Sequence, residues 1–293
     1  MAASRLTVPD MMPMAQPAPG AAPAYPAATD AVGSGTLTLS GANTLSGAIT
    51  ISAGTLLLDA SAGGSLAAAT PLTLGSAGFA YRGAASGASS QSVVLTTAAA
   101  SLARVTLDPN GGTSTTLALG GITRAAGSAL SLDFSAVSAG AGAATTSLAG
   151  TGPNGILAWA SVKDASGAVS MAQVSGGNIV AFSPAVSASV LSDSSNSATT
   201  DFTTAGMSAN PLVWNNGLTA RSADSLTFDT TAGAQTVNLG AATNVLTLAS
   251  GALQLVGANN ATLTGGQVGA SAAELIVQQN GAGILTVNSL VSG

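Results

Sequence analysis

The sequence predicts an all-β protein that winds as a parallel β-helix, or β-solenoid, behind a proline-rich N-terminal arm. Three observations favour this fold: short strand-like triplets return along the chain, turn-forming residues fill the gaps between them, and large side chains are scarce. Hydrophobic residues make up 46% of the 293 residues, but aromatic residues only 3% and charged residues 6%. Such a chain packs its small side chains best by repetition, with backbone hydrogen bonds supplying much of the order.

The N-terminal segment differs in composition from the rest of the chain. Six of the 11 prolines and four of the six methionines lie in the first 26 residues. Proline fixes φ and removes a backbone donor, so a segment this rich in proline forms neither a helix nor a sheet ladder. We expect residues 1–32 to be a disordered linker or arm, and residues 33–293 to form a single β-solenoid.

A first series of strand candidates lies near the middle of the chain. The triplets VVL at 93–95, VTL at 105–107, LAL at 117–119 and LSL at 130–132 start 12 or 13 residues apart. Each candidate alternates with a period of two residues, as a half-buried strand does, and turn formers fill the gaps.

A second series of strand candidates covers the C-terminal part of the chain. Apolar positions there do not recur at helical spacing, and glycine interrupts almost every window that could form a helix. The triplets of this series begin at Leu226, Val237, Leu246, Leu253, Leu275 and Leu285.

Short strands with Gly- and Asn-rich corners occur in sandwiches, barrels and solenoids. The solenoid is favoured because strands of three to five residues bury little in a sandwich, and because Thr and Ser occupy the expected outward positions while Leu, Val and Ile face inward. Asparagine tolerates the left-handed backbone of tight corners. We expect coils of about 22 residues that pair about 4.8 Å apart, with corner asparagines at Asn43, Asn244, Asn259, Asn260 and Asn280.

The inventory of reactive side chains limits the chemistry that the chain can perform. The sequence has no His and no Cys, a single Lys, Lys163, and a single Glu, Glu274. Thiol nucleophiles, thiolate zinc sites and disulfides are therefore excluded. Neither of two calcium-binding patterns, the EF-hand loop and the Gly-Gly-x-Gly-x-Asp nonapeptide, occurs in the sequence. We predict no enzyme activity, no cofactor and no metal. A net charge of −5 without a basic stripe also argues against a nucleic-acid partner.

Aspartates are the remaining candidates for catalysis, because some β-helices cleave polysaccharides with clustered carboxylates. Asp224 and Asp229 are the nearest interesting pair, with Arg221 close by. We favour a structural interpretation in which the aspartates are solvated in loops or cap turns, and we treat a polysaccharide lyase or hydrolase as a distant third hypothesis. The other aspartates considered are Asp59, Asp108, Asp133, Asp164, Asp193 and Asp201.

The few aromatic side chains are the candidates for ligand contact. Trp159 lies in the apolar run GILAWA and is expected to be buried, together with Phe79. We expect Trp214, in NPLVWNNG, to be exposed and, with Tyr81, to offer a contact for a sugar. The repeated Thr-x-Thr pattern is also compatible with an ice-binding face, but we do not expect the threonines to lie in register over many coils.

A family resemblance is carried by the stretch GSGTLTLSGANTLSGAITISAGTLLLD, residues 33–59. It resembles the autotransporter-associated β-strand repeat over about 25 positions, with Leu45 and Ser46 where that repeat usually has Tyr-Thr. Residues 154–183 look like the segment that separates repeats in large bacterial surface proteins, although Met171 stands near the place of a usual second Trp. Residues 226–293 also look like the family.

The resemblance implies a right-handed parallel β-helix that is held outside the cell as a stalk, adhesin or scaffold. We therefore predict a non-catalytic structural passenger region of a secreted or cell-surface, outer-membrane-associated bacterial protein. The alternative is an adhesin that binds a glycan or another cell surface. We expect self-association through the coil ends, no transmembrane segment and no export signal in this sequence, which we interpret as part of a longer chain.

Overall fold

The computed structural model describes residues 29–292 except 32, 44–46, 138–140, 151–153 and 272–273. The chain divides into two compact units, Met1–Leu148 and Ala149–Gly293. Both units are built from short β-strands that pair in parallel between successive coils, so the prediction of an all-β parallel β-helix is confirmed. The predicted arm lies outside the described residues, apart from Thr29–Ala31, which form a strand.

The first unit contains twelve strands and one turn of 3₁₀ helix, Ala60–Ala62, among its described residues. The strands are β1 Thr29–Ala31, β2 Thr36–Leu39, β3 Ile49–Ile51, β4 Thr55–Asp59, β5 Thr70–Leu74, β6 Gly78–Arg82, β7 Ala88–Thr97, β8 Leu102–Asp108, β9 Ser114–Ala118, β10 Thr123–Arg124, β11 Ala129–Asp133 and β12 Gly142–Thr145.

These strands form three parallel ladders. One ladder runs β1, β3, β5, β7 and β10, and a second runs β2, β4, β6, β8 and β11. The third ladder joins the first half of β7 to β9 and β12. Strand β7 therefore turns a corner of the coil, because its two halves pair in different ladders.

Apolar side chains stack in columns inside the coils of the first unit. Leu56, Phe79, Val105 and Leu132 are successive partners in register, and all four are buried. Partners lie 23 to 27 residues apart along the chain, close to the expected coil length. Each column repeats the same inward position, so a core forms without any large hydrophobic centre.

The outer face of the first ladder carries a rank of threonines. Thr50, Thr73, Thr96 and Thr123 pair with one another in register across four consecutive coils. Our expectation that the threonines do not lie in register is therefore wrong for these coils. Register between distant segments depends on the length of each corner, and residue spacing alone did not reveal it.

The corners need backbone conformations that other residues adopt poorly. Gly54 has φ +74°, and a Cβ atom there would meet the carbonyl oxygens of Gly33 and Gly35 in the preceding coil. Asn43 donates from Nδ2 to the carbonyl oxygens of Gly41 and Ser65, 2.9 and 3.1 Å away, and so ties one corner to the next coil. Both contacts explain why Gly and Asn recur between strands.

The first three described strands of the second unit form an antiparallel sheet of two consecutive hairpins, which we call the hairpin layer (residues 154–183). The strands of the unit are β13 Ile156–Lys163, β14 Val169–Ser175, β15 Asn178–Ala181, β16 Ser189–Val190, β17 Phe202–Thr203, β18 Leu212–Val213, β19 Ala220–Asp229, β20 Gln235–Asn238, β21 Val245–Val256, β22 Ala261–Thr264, β23 Gln267–Ala270, β24 Ile276–Gln279, β25 Leu285–Val287 and β26 Leu290–Ser292, with one short helix, α1 Pro184–Ser187.

Strands β16 to β26 return to the parallel coil pattern. One ladder runs β16, β17, β19, β21, β23 and β26, with β24 also pairing with β21, and the other runs β18, β20, β22 and β25. Phe202, Leu226 and Leu253 form an inward column, and Val237 stacks on Leu263 in the same core. The inner packing therefore follows the same rule as in the first unit.

The hairpin layer covers the outward side of these coils. Ala252 packs against Ile156, Met171 and Phe182 of the layer, while Leu253 points into the core. Strands β19 and β21 are consequently buried on both sides over their second halves. The segment that resembles a repeat separator thus forms a second layer within its unit.

Candidate functional site

Five of the eight candidate aspartates cap turns at strand ends. Asp229, for example, accepts from the backbone N–H and the hydroxyl of Thr231, at 3.0 and 2.5 Å. The favoured interpretation of turn capping is confirmed for these residues. The others in this group, each accepting from the residue two positions ahead, are Asp59, Asp108, Asp133 and Asp164.

The capping bonds also stabilise the charged form of these carboxylates. The hydrogen bond from the Ser61 hydroxyl lowers the pKa of Asp59, and that from Ser166 lowers the pKa of Asp164. Arg82 lies between the carboxylates of two coils, with its guanidinium 3.8 Å from Asp59 and 3.6 Å from Asp108. The side chains of Arg82 and Asp108 are 43% and 42% exposed and that of Asp59 is 13% exposed, so these ion pairs are partly solvated and each contributes about 0 to 1 kcal/mol.

The two aromatic residues predicted to contact a ligand are buried. Trp214 is 3% exposed and Tyr81 is 2% exposed. The expectation that Trp214 is exposed is wrong, since Trp214 follows Leu212 with the two-residue period of an inward-facing strand and packs in the core of the second unit. Neither ring can stack on a sugar while it is covered, so ligand contact stays a prediction that requires a local opening. Burial also raises the pKa of Tyr81.

Trp214 is covered by a buried arginine. The Arg221 guanidinium carbon lies 4.3 Å from the centre of the Trp214 ring. Arg221 also donates to the Asp193 carboxylate at 3.0 Å, to the Asn216 side-chain oxygen at 2.6 Å and to the Asp193 carbonyl oxygen. The indole N–H of Trp214 and the Nε of Arg221 are buried without a hydrogen-bond partner among the described residues. This cluster fixes the loops around residues 193 and 216 against the coil.

A second buried cluster lies where the hairpin layer meets the corner of the coils. We call it the corner seam, and it consists of Asn154, Asp201, Asp224 and Ser225. Asp201 and Asp224 are each 1% exposed. Asp201 accepts from Asn154 Nδ2 at 2.5 Å through one oxygen and from the Ser225 hydroxyl through the other. The seam is the most strongly perturbed polar site among the described residues.

The carboxyl group of Asp224 holds its proton more strongly than an ordinary aspartate does. Burial, the neighbouring Asp201 carboxylate and a hydrogen bond with it raise the pKa of Asp224 to about 7. Oδ2 of Asp224 has no partner among the described residues. Two buried carboxyl groups side by side cannot both be charged at low cost, so the pair holds one proton near neutral pH.

The predicted pair of Asp224 and Asp229 is not the pair that the fold brings together. Asp229 caps a turn, while Asp224 meets Asp201, which lies one coil earlier because Phe202 pairs with Leu226. Alternation with the inward residues Leu226 and Phe228 could have indicated that Asp224 is buried. No local signal marks Asp201, since the hairpin layer that buries it is distant in sequence.

The arrangement offers limited chemistry. Among the described residues no group of three or more acidic, His or Cys side chains could hold a metal ion. The corner seam offers a shared proton and a hydroxyl donor, both covered by protein, and the half-buried side-chain amide of Asn154. The described part of the chain also contains no helix with the length and hydropathy that a membrane crossing requires.

Comparison with known proteins agrees with the fold. Residues 31–58 match the family model of the passenger-associated-transport-repeat. Neither curated proteins nor solved structures give a match to the chain. The matched stretch coincides with the repeat that the sequence resemblance singled out at residues 33–59, and it spans strands β2 to β4 of the parallel coils. The matched repeat and the β-solenoid fold both agree with the resemblance of this stretch to autotransporter passenger repeats.

Proposed function

We propose that this chain serves as a structural, non-catalytic part of an autotransporter passenger, a stalk that is held outside the bacterial cell. The observation that carries the proposal is the parallel stacking of coils around unbroken apolar columns, such as Leu56, Phe79, Val105 and Leu132. The matched passenger repeat supports the same function.

The stalk role follows from how the coils are joined. Within each unit, the described strands of the inner coils pair with strands of the coils before and after them, so the backbone groups of these strands are satisfied on both sides. Such a stack resists bending because each displacement breaks a row of hydrogen bonds. With 6% charged residues in the chain, it also offers few groups for reactive chemistry.

Surface display tests this proposal. The chain is placed between a secretion signal with an N-terminal epitope and an autotransporter translocator, and the epitope is then probed on intact cells. We expect the epitope to be stained and to be removed by added protease. A matched Leu56→Asp variant, which breaks one apolar column, should lower the surface signal. Display of that variant equal to the unmodified chain would contradict the role of the stacked columns.

An adhesin is the second candidate, supported by the threonine rank on the outer face of the first unit. Thr50, Thr73, Thr96 and Thr123 give this face a repeated, uncharged pattern of hydroxyl and methyl groups. Binding to a glycan array or to cells should then fall in a Thr73→Lys, Thr96→Lys double variant. Thr106→Lys, on the outer side of another ladder, is the control. Equal binding by all three proteins would exclude this face.

Self-association through the coil ends is a further part of the proposal. Leu226 and Leu253 are fully buried, whereas Val277, at the same position of the last described coil, is 49% exposed. We expect copies to associate at high concentration, since parallel edges and exposed apolar side chains favour added strands. Sedimentation velocity with a Val277→Lys variant measures this, and a strict monomer for the unmodified chain would contradict it.

A further inference from the structure

The corner seam carries an inference that does not depend on the proposed function. Three parts of the second unit meet there: Asn154 at the start of the hairpin layer, Asp201 before β17, and Asp224 with Ser225 in β19. The strands β17 and β19 are fixed to each other by a parallel ladder. Asn154 reaches the coil through its side chain, which donates to Asp201 at 2.5 Å and to the Ser187 carbonyl oxygen at 3.1 Å.

The two carboxyl groups of the seam differ in their hydrogen-bond partners. Both oxygens of Asp201 accept hydrogen bonds, one from Asn154 and the other from Ser225. Asp224 receives no such donor at Oδ2, which is buried without a partner among the described residues. A protonated Asp224 can donate to Asp201, and this removes the need to bury a second negative charge.

The backbone holds Asp224 in place, so the carboxyl groups cannot simply move apart. The Asp224 N–H donates to the Thr200 carbonyl oxygen at 2.8 Å, and its carbonyl oxygen accepts from the Ser250 hydroxyl at 2.5 Å. Asp224 is thus tied to the coils before and after its own. Ser225, the other donor to Asp201, is fixed within β19, so the contact that can give way when the two carboxylates repel each other is the side-chain hydrogen bond from Asn154.

We propose that Asp201 and Asp224 form a proton-dependent latch, which keeps the start of the hairpin layer closed over the corner of the coils. With the proton present, Asp224 donates to Asp201, and Asp201 holds Asn154. When the proton leaves, two buried carboxylates face each other, the Asn154 contact breaks and water enters the seam. The latch is closed in acid and open in mild alkali.

The direction of the switch agrees with the electrostatics of the site. The pKa of Asp224 is raised to about 7, first by burial and then by Asp201. Within the described part of the chain, Asp201 is the only charged group that shifts it. The other charged side chains on the surrounding elements are Arg221 on the same strand, Lys163 of the hairpin layer and Glu274, which precedes β24. The latch therefore opens as the pH rises through about 7.

Hydrogen exchange of the intact chain, corrected for the intrinsic pH dependence, tests the latch. Amides near the seam, at residues 154–157, 187–189 and 200–203, should lose protection by about tenfold or more between about pH 5.5 and pH 8.5, as expected for a proton linkage over this interval. Amides of β5 and β6 in the first unit should not change. Asp224→Asn, which carries no charge and can donate to Asp201, should keep the seam protected at both pH values.

Two further measurements distinguish the latch from a general effect of pH and from a cation site. Asp229→Asn, in the same strand but at an exposed turn, is the matched control and should open with pH as the unmodified chain does. Protection at the seam that is independent of pH in the unmodified chain would overturn the proposal. So would a seam that Ca²⁺ protects in mild alkali in the unmodified chain but not in Asp224→Asn, because the pair would then bind a cation.

Discussion

The two units share one inner architecture but differ in what covers their outer side. In the first unit, the threonine rank and the ion pairs of Arg82 lie at the surface. In the second unit, the hairpin layer covers β19 and β21, and Asp201, Asp224 and Gln254 are buried beneath or beside it. On an uncovered coil, water can satisfy an outward polar side chain, whereas on a covered coil that side chain must find a hydrogen-bond partner within the protein.

Gln254 illustrates the difference. It stands at an outward position, opposite Thr227 in the previous coil and Gln278 in the next. Its side-chain oxygen accepts from the backbone N–H of Met171 at 2.6 Å and from Asn280 at 2.9 Å. Gln278 likewise donates to carbonyl oxygens of Ala158 and Ala160. Side chains that would be solvated on a bare coil therefore bind the second layer.

The largest effect should come from the inner columns, where the two units are alike. Phe79→Ala in the first unit and Phe228→Ala in the second each remove a fully buried ring. We expect each to lower the free energy of unfolding by about 3 to 5 kcal/mol, from lost burial and the cavity left behind. Urea denaturation of the two variants measures this. A loss below about 1 kcal/mol in only one unit would show that the inner columns of the two units are not packed alike.

The next largest difference in stability between the two units should come from substitutions of charged residues. Arg221→Met leaves Asp193 without its partner and uncovers Trp214, so we expect a loss of about 3 kcal/mol in the second unit. Arg82→Met removes solvated ion pairs and should cost less than about 1 kcal/mol. Denaturation curves of both variants at low and high salt provide the measurement. Equal losses would mean that burial does not decide the strength of these pairs.

The outward polar positions should follow the same rule. Gln254→Ala leaves the Met171 N–H buried without an acceptor, and we expect a loss of about 2 to 3 kcal/mol. Thr73→Ala, at an outward position of the bare first unit, should change stability by about 0.5 kcal/mol or less. Thermal unfolding of the two variants compares them. A similar loss for Thr73→Ala would imply that its face is covered in solution.

The smallest effect concerns pH. Asp224 has a folded pKa of about 7 and an ordinary value of 3.8, so the folded chain binds more protons than the unfolded chain between these values. Its stabilising contribution is present below about pH 4 and is lost as the pH rises to about 7. We expect the unmodified chain to lose about 2 kcal/mol relative to Asp224→Asn between about pH 5 and pH 8. Parallel pH profiles for the two proteins would refute the raised pKa.

The inner architecture could be predicted from the sequence because it depends on the alternation of residues within each short strand. Triplets such as VVL at 93–95 and LAL at 117–119 alternate correctly, and they lie in or at the end of strands β7 and β9. The burial of Trp214 could also have been predicted, since Trp214 keeps the two-residue period of the buried Leu212. The residue pattern was sufficient wherever one coil resembles the next.

The corner seam could not be predicted in the same way. Asp201 faces outward by its alternation with Phe202, yet it is buried beside Asn154 at the start of the hairpin layer. Asp224 becomes the neighbour of Asp201 because whole coils pair with each other, and not because the two residues are close in the sequence. Contacts between distant segments depend on the lengths of all the corners between them, which residue type does not encode.

The corner of β21 explains how such coils can differ in length and still stack. Strand β21 runs unbroken from Val245 to Val256, yet its two halves pair with the separate strands β23 and β24 of the next coil. One residue turns this corner in β19, in the coil before, and three residues turn it in β21, while the pairs on either side stay in register. Corners of this kind are joints that accept extra residues, which makes them natural sites for grafting a foreign loop onto the scaffold.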